Sequence, residues 1–382
     1  MLQNRWCLAG SAVLLALLWQ AAMVHSRYGG NWTSLYYSGA RFSLPPELEG
    51  RTYRHPDSFG YDGQFYRLAA HDPLGLKGYS PHFDAAFYRK RRIAVPALAW
   101  LLGFGQSRLI DYSYLAVIHL LIAAGVVLLS RVAQGYARHP AWGLAFLLYP
   151  ATLNGIARLL PDLALGVAIC GFLLWRQERR LWAWALLAFG CLTRELGLVL
   201  IAAAVGQELW RRRWALGALW ASSALPAFAW WVSIGSGGGR GGGSGNYRWL
   251  GGHAFVGFFE RMAMPVHYTE YRPAELALQV ADVAVMASLA AGSVAALWCW
   301  WRNRDGDLEW LALAAVSLAI VAANPHFLQD DYSYPRAFGL LAGPLALMAL
   351  RGPNRWLAVP LGLLSLRLVL VMLGLIILSL SD

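Results

Sequence analysis

Charge is scarce in this chain. Only 14% of its 382 residues are Asp, Glu, Lys or Arg, against 58% hydrophobic residues, whereas soluble domains carry roughly a quarter charged residues. The shortage excludes an ordinary soluble domain and predicts a polytopic membrane protein. Cysteine is scarce too. Cys7, Cys170, Cys191 and Cys299 all fall in apolar runs, and their spacing fits neither a disulfide framework nor a metal site, so they read as buried, inert thiols. No internal repeat is visible. The one glycine-rich stretch, GSGGGRGGGSGNY from Gly235 to Tyr247, lacks the GK[ST] ending of a phosphate loop and reads as a flexible linker.

What charge there is follows a pattern. The net charge of +11 is spread over short clusters between apolar runs: Arg131/Arg138, Arg176/Arg179/Arg180, Arg211 to Arg213, Arg302/Arg304 and Arg351/Arg355. Nucleic acid is therefore not an expected partner. This is the arginine bias of cytoplasmic loops. A spanning helix needs about 20 apolar residues, fewer inside a bundle. About 11 transmembrane helices are expected, near 6–24, 112–131, 140–157, 161–175, 182–193, 196–210, 214–232, 275–301, 308–324, 336–350 and 356–379. The first run favours a retained helix over a cleaved signal peptide. With its N-terminus cytoplasmic, every arginine cluster falls inside, provided that Arg92 to Phe104 lies along the outer interface and that Thr193-Arg194-Glu195 tips an outward hairpin. One long helix with Arg194 and Glu195 in lipid costs several kcal/mol.

Three long segments then face outward: 25–111, 233–274 and 325–335. Asn31-Trp32-Thr33 in the first matches a glycosylation sequon at near-chance frequency. Acids and arginines from distant segments fall on this same face: Asp62, Gln64, Arg67 and Asp72 in the first loop, Arg158 and Asp162 around one turn, Arg194 and Glu195 at the hairpin, and Asp330, Asp331 and Arg336 before a late helix. Each has a plainer reading. Arg158 and Asp162 pair across their turn, Arg194 and Glu195 are solvated tip charges, Arg336 snorkels, and Asp62 caps a helix beginning at Gly63. Their coincidence on one side is what suggests a site. For Arg367, deep in the final apolar run, two readings stay open: it snorkels, or it pairs within the bundle.

Certain short stretches also resemble a known family. Tyr61-Asp62-Gly63-Gln64-Phe65-Tyr66, the run Tyr88 to Arg92, Leu160-Pro161-Asp162, Thr193-Arg194-Glu195 and Tyr334-Pro335-Arg336 occur in an order similar to that of the GT-C membrane glycosyltransferases. The likeness is to bacterial integral-membrane members of cell-surface glycan assembly. It covers about residues 1–232 well and 275–350 loosely. Where protein mannosyltransferases carry an Asp-Glu pair, Asp62 is followed by glycine.

The resemblance implies an all-α integral membrane fold, a GT-C-like bundle whose long first periplasmic loop holds interfacial helices. It divides the chain into a catalytic module (1–232), a Gly-rich outer loop (233–274) and C-terminal transmembrane helices (275–382). It implies an inverting transferase of the bacterial inner membrane with a periplasmic site. The partners would be a polyprenyl-phosphate-linked sugar donor, a glycan or lipid acceptor, and membrane lipid. In that reading Asp62 is the base. Arg194 and Arg336 face the lipid phosphate, followed by Arg92 or Arg158, and Gln64, Tyr66, Arg67, Asp72, Asp162 and Glu195 complete substrate binding. No metal or other cofactor is expected, although the carboxylates leave a divalent ion open. A polymerase or ligase of lipid-linked glycans, or a flippase of lipid-linked sugars, are the alternatives.

Overall fold

A computed structural model describes residues 4–236, 262–263, 272–302, 305–322 and 333–380, and these are predominantly helical. The Gly-rich stretch beyond Ser236, together with Asp330 and Asp331, lies outside the described residues. Five helical stretches are long and apolar enough to cross a membrane: Arg5–Arg27, Ser107–Gly135, Trp214–Gly235, Glu275–Arg302 and Arg355–Leu373. Leu163–Trp175, Arg180–Thr193, Gly197–Trp210 and Phe338–Arg351 are apolar but shorter. The all-α expectation holds, but the expectation of about 11 spans is not confirmed by these lengths.

The chain opens with α1 (Arg5–Arg27), whose first turn is capped by the Asn4 side chain accepting from Trp6 N at 3.0 Å. The first loop then folds into short pieces: a 3-10 turn (Trp32–Tyr36), a two-residue parallel pairing of Ser38–Gly39 with Arg54–His55, and helices α2 (Pro46–Glu49), α3 (Gly63–His71), α4 (Ala86–Lys90) and α5 (Ala94–Leu102). Asn31, the sequon asparagine, spends its side-chain oxygen on Thr33 N at 3.0 Å, capping the 3-10 turn. At nine residues, α5 is about 13 Å long, too short to cross. Phe104 and Gly105, both at positive φ, reverse the chain into α6 (Ser107–Gly135).

The expected span 140–157 is not one helix. A 3-10 helix, Pro140–Leu148, gives way to α7 (Pro150–Arg158) at Tyr149, which is extended (φ −63°, ψ 125°). The cause is Pro150, because the residue before a proline is driven from helical to extended backbone. Leu159, left-handed at φ 49°, ends α7. The helices α8 (Leu163–Trp175), α9 (Arg180–Thr193) and α10 (Gly197–Trp210) follow, with the tight tip between the last two depending on Gly197. A Cβ there would lie 2.5 Å from the backbone N and Cα of Cys191. The span 214–232 is likewise divided, into α11 (Trp214–Ser222) and α12 (Leu225–Ser236). Next come α13 (Arg272–Arg302), α14 (Gly306–Ala322), α15 (Ser333–Arg351) and, after a 3-10 turn at Arg355–Ala358, α16 (Val359–Leu380). Cys170, Cys191 and Cys299 are buried as expected, but Cys7 is exposed.

Two polar networks mark the ends of α6, which at 29 residues spans about 43 Å. At its start, Asp111 receives the fork of Arg67 (Nε 2.7 Å, Nη2 2.8 Å), Arg51 Nη2 at 3.1 Å and His71 Nε2 at 3.1 Å. At its finish the arginine clusters of separate loops meet the acidic start of α14. Arg176 pairs with Asp307 at 2.5 Å, Arg211 with Glu309 at 2.5 Å and Arg351 with Asp305 at 2.6 Å, while the Tyr136 hydroxyl donates to Asp307 at 3.2 Å. The bundle thus has a loop end and an arginine end. Between them, Arg367 of α16 pairs with Asp282 of α13 at 2.7 Å, 2% and 4% exposed respectively. Of its two readings, pairing within the bundle holds.

Candidate functional site

The polar residues of the loop end form a closed circuit of contacts. α3 starts at Gly63 because a side chain there would collide with the carbonyl oxygen of Arg158 and come within 2.8 Å of that of Tyr36. Asp62 is thereby set against the end of α7. From Arg158 the chain turns through Leu159 to Pro161 into Asp162, whose carboxylate contacts the Arg194 guanidinium. Next to Arg194, Glu195 Oε2 accepts from Arg92 Nε at 3.1 Å. Arg92 also donates through Nη1 to the Tyr66 hydroxyl at 2.7 Å, and to that of Tyr88. Tyr66 is on α3, one turn beyond Asp62, and the circuit closes. Trp230 and Trp231 of α12 brace it from outside, donating to the carbonyls of Lys90 (2.8 Å) and Arg91 (3.3 Å).

Asp62 does not cap α3 with its side chain. Its Oδ1 meets Arg89 Nη1 at 2.7 Å, and Arg89 holds Asp84 with Nη2 at 2.6 Å. Burial pulls the Arg89 pKa down, but Asp62 and the Asp84 hydrogen bond outweigh it and the net shift is upward. The guanidinium is a permanent cation that orients the Asp62 carboxylate. Burial likewise pushes Glu195 up, yet Arg92, its own backbone N–H and Arg194 hold it below its ordinary range.

The circuit sorts the expected site residues. Tyr66, Arg92, Asp162 and Arg194 are buried (0%, 4%, 1% and 6% exposed), and Glu195 is nearly so. Their pairing is internal, Arg194 with Asp162 and Arg92 with Glu195. Arg158 does not pair with Asp162 across the turn. It lies over the rings of Tyr37 and Tyr61, 4.3 and 4.4 Å from their centroids, while Asp162 takes Arg194. Three first-loop residues hold the loop itself. Gln64 accepts from Gly39 N (3.1 Å) and donates to Phe59 O (2.8 Å), Asp72 accepts from Lys77 N (3.1 Å) and Tyr79 N (3.4 Å), and Arg67 is committed to Asp111. Arg336 lies in α15, and its side chain is outside the described residues. Asp62, its side chain 19% exposed, with Tyr61 and Arg158, forms the accessible part of the group.

Arg89, Asp84 and the Asp111 hub were missed from sequence. Arg89 sits in the run YRKRR, where one basic residue looks like the next. Asp111 stands a turn inside an otherwise apolar helix, and that position was its available signal. A group of three or more His, Cys, Asp or Glu able to hold a metal is not found among the described residues.

Two cavities flank these residues. One, about 440 Å³, runs from Arg138 and Arg355 at the arginine end to Tyr149, whose ring approaches Gly166, one turn beyond Asp162. The other, about 220 Å³, lies at the loop end beside Arg158. No protein-family model matches this chain, and neither a curated protein nor a solved structure matches it.

Proposed function

We propose that the chain is an inverting glycosyltransferase that moves a sugar from a polyprenyl-phosphate donor to a glycan or lipid acceptor at the outer face of a bacterial inner membrane. The observation that carries the proposal is the circuit just described. Four stretches of the sequence bring Asp62, Arg92, Arg158 with Asp162, and Arg194 with Glu195 to one end of an apolar bundle. Polar groups are costly at a membrane boundary unless paired, so such a gathering serves a site better than it serves stability alone.

In the step itself, the acceptor oxygen forms a bond to the anomeric carbon as the bond from that carbon to the phosphate oxygen breaks. The bonding pair leaves with the phosphate, and the acceptor proton passes to Asp62. A positioned carboxylate serves as general base for that proton, and Arg89 at 2.7 Å fixes its direction. Because the leaving group is already anionic, it needs cations rather than an acid, a task suited to arginine. The pairs Arg92–Glu195 and Arg194–Asp162 act as the frame that positions α3, α7 and the hairpin. The test is sugar transfer from a labelled polyprenyl-phosphate donor in membranes carrying the chain or its Asp62→Asn variant. Transfer by the variant at the parent rate removes Asp62 as base.

One observation favours a second reading. The pair Arg367–Asp282 is buried between apolar helices, and ionisable residues within membrane helices mark translocation pathways in transporters. A flippase would move a labelled lipid-linked sugar across vesicles without forming a glycosidic product.

A further inference from the structure

The larger cavity, about 440 Å³, owes its existence to the helix that does not form over 140–157. A 3-10 helix winds more tightly than an α-helix, and the Pro140–Leu148 segment leaves room beside it. The walls of that room are apolar: Leu129 of α6, Ile169 of α8, Leu347 of α15 and Leu361 of α16. Tyr149 closes the deep end. Its ring lies against Gly166 and Gly343, where an added Cβ would come within 2.9 and 3.2 Å of it. An apolar cavity of this size is costly when empty, and it offers water too few polar partners. Hydrocarbon is what it fits. The nine residues of 3-10 helix rise about 18 Å, close to the roughly 15 Å that is half of a bilayer's hydrocarbon core.

Charge marks the mouth alone. The lining includes Arg138 and Arg355 and contains no carboxylate. At this end of the bundle Arg176, Arg211 and Arg351 all meet acids at the start of α14, whereas Arg138 and Arg355 meet no carboxylate among the described residues. Arg138 donates from Nε to the carbonyl of Leu350 at 3.1 Å, which holds its guanidinium across the opening with the Nη donors left over. Trp142, also in the lining and half-exposed, supplies an indole of the kind that settles at headgroup level. Basic pockets between membrane helices recognise anionic lipid headgroups.

We propose that this cavity holds an acyl chain of an anionic phospholipid from the leaflet at the arginine end, with the headgroup phosphate on Arg138 and Arg355 and the chain running to Tyr149. A zwitterionic headgroup would bring a cation to a mouth that offers it no acid. The lipid fills the space that the tight 3-10 helix leaves. Its headgroup lies at the opposite extremity of α6 from the Asp111 hub, and it uses none of the side chains assigned to sugar transfer, so the site stands independently of that reading.

The test is photolabelling of the full chain in phosphatidylcholine nanodiscs doped with a phosphatidylglycerol whose acyl chain carries a diazirine, the labelled peptides being located by mass spectrometry. Label is expected on the walls at 140–149 and 343–350, and unlabelled phosphatidylglycerol should displace it. Arg355→Gln is the deciding variant, because that side chain has no hydrogen bond within the described chain to lose. It should cut wall labelling about fivefold, the worth of one arginine near an anionic lipid surface, and Arg138→Gln/Arg355→Gln should cut it further. Ala346→Trp fills the chamber from α15 with both arginines intact, and should abolish wall labelling. Labelling unchanged in Arg355→Gln, or a photoreactive phosphatidylcholine labelling the same walls equally, overturns the headgroup assignment. Labelling unchanged in Ala346→Trp overturns the cavity. Displacement by decaprenyl phosphate as effective as by phosphatidylglycerol overturns the phospholipid as occupant. No turnover is involved, so failure here leaves the role of Asp62 standing, and an inactive Asp62→Asn variant that still takes the label leaves the site standing.

Discussion

Arg92 joins two segments 103 residues apart, placing Nε 3.1 Å from Glu195 while Nη1 reaches Tyr66 at 2.7 Å. Both charges are largely out of water, so losing one partner strands the other. Arg92→Ala is expected to cost about 3–5 kcal/mol, read as a fall in melting temperature of the detergent-solubilised protein. The double variant Arg92→Ala/Glu195→Ala should lose less than the two single variants together, with a coupling of roughly 0.5–3 kcal/mol. Strict additivity would show that the contact carries no energy.

Asp62→Asn keeps the shape of the side chain and removes its charge. General-base contributions are typically about 10²–10⁴-fold, so sugar transfer should fall within that range, measured in membranes against equal amounts of folded protein. Donor binding should be retained.

Gly63→Ala tests placement rather than chemistry. The added methyl meets the Arg158 carbonyl, so α3 must shift and carry Asp62 away. Transfer should fall at least tenfold with the carboxylate still present, whereas alanine at the open Gly50 should change nothing.

His71 predicts an acid limb in stability. Its neutral ring donates Nε2–H to Asp111 and accepts from the Ser107 hydroxyl at Nδ1 (3.1 and 3.2 Å), near Arg67 and Arg51. Burial, the largest influence, lowers its pKa below the ordinary 6.5, against the pull of Asp111. Below that value the unfolded chain binds a proton that the folded chain refuses, so stability falls as pH drops through about 6.5. Melting temperatures at pH 7.5 and 5.5 should show the drop, and His71→Gln should shrink it.

Arg367→Ala removes the guanidinium that pairs with the buried Asp282 carboxylate, at a cost of about 3–5 kcal/mol. Arg367→Met with Asp282→Leu should recover most of that loss, since a well-packed apolar pair often replaces a buried ion pair without penalty. Expression and thermal stability of the three variants decide it.

Much of this was readable in advance, for definite reasons. The apolar runs set the helices near their expected positions because hydrophobic length is a local property. The hairpin tip at Arg194 and Glu195 was placed by the arginine clusters on either side, and those clusters do meet at a common end. The break at Tyr149 was written in Pro150 and overlooked among apolar neighbours. Pairing was a different matter. Nothing near Asp162 indicates that its partner is Arg194 rather than Arg158, four residues away, and nothing near Arg367 points to Asp282, 85 residues earlier. Such choices are made in three dimensions, once the helices have packed.

The lacing of Arg176, Arg211 and Arg351 onto the short stretch Asp305–Glu309 has a mechanical meaning. These pairs tie the ends of three helices to the start of a fourth, and the Asp111 hub with the Arg92–Glu195 and Arg194–Asp162 pairs does the same at the opposite extremity. The bundle is thus pinned top and bottom, and the apolar contacts between carry no directional charge to set its register.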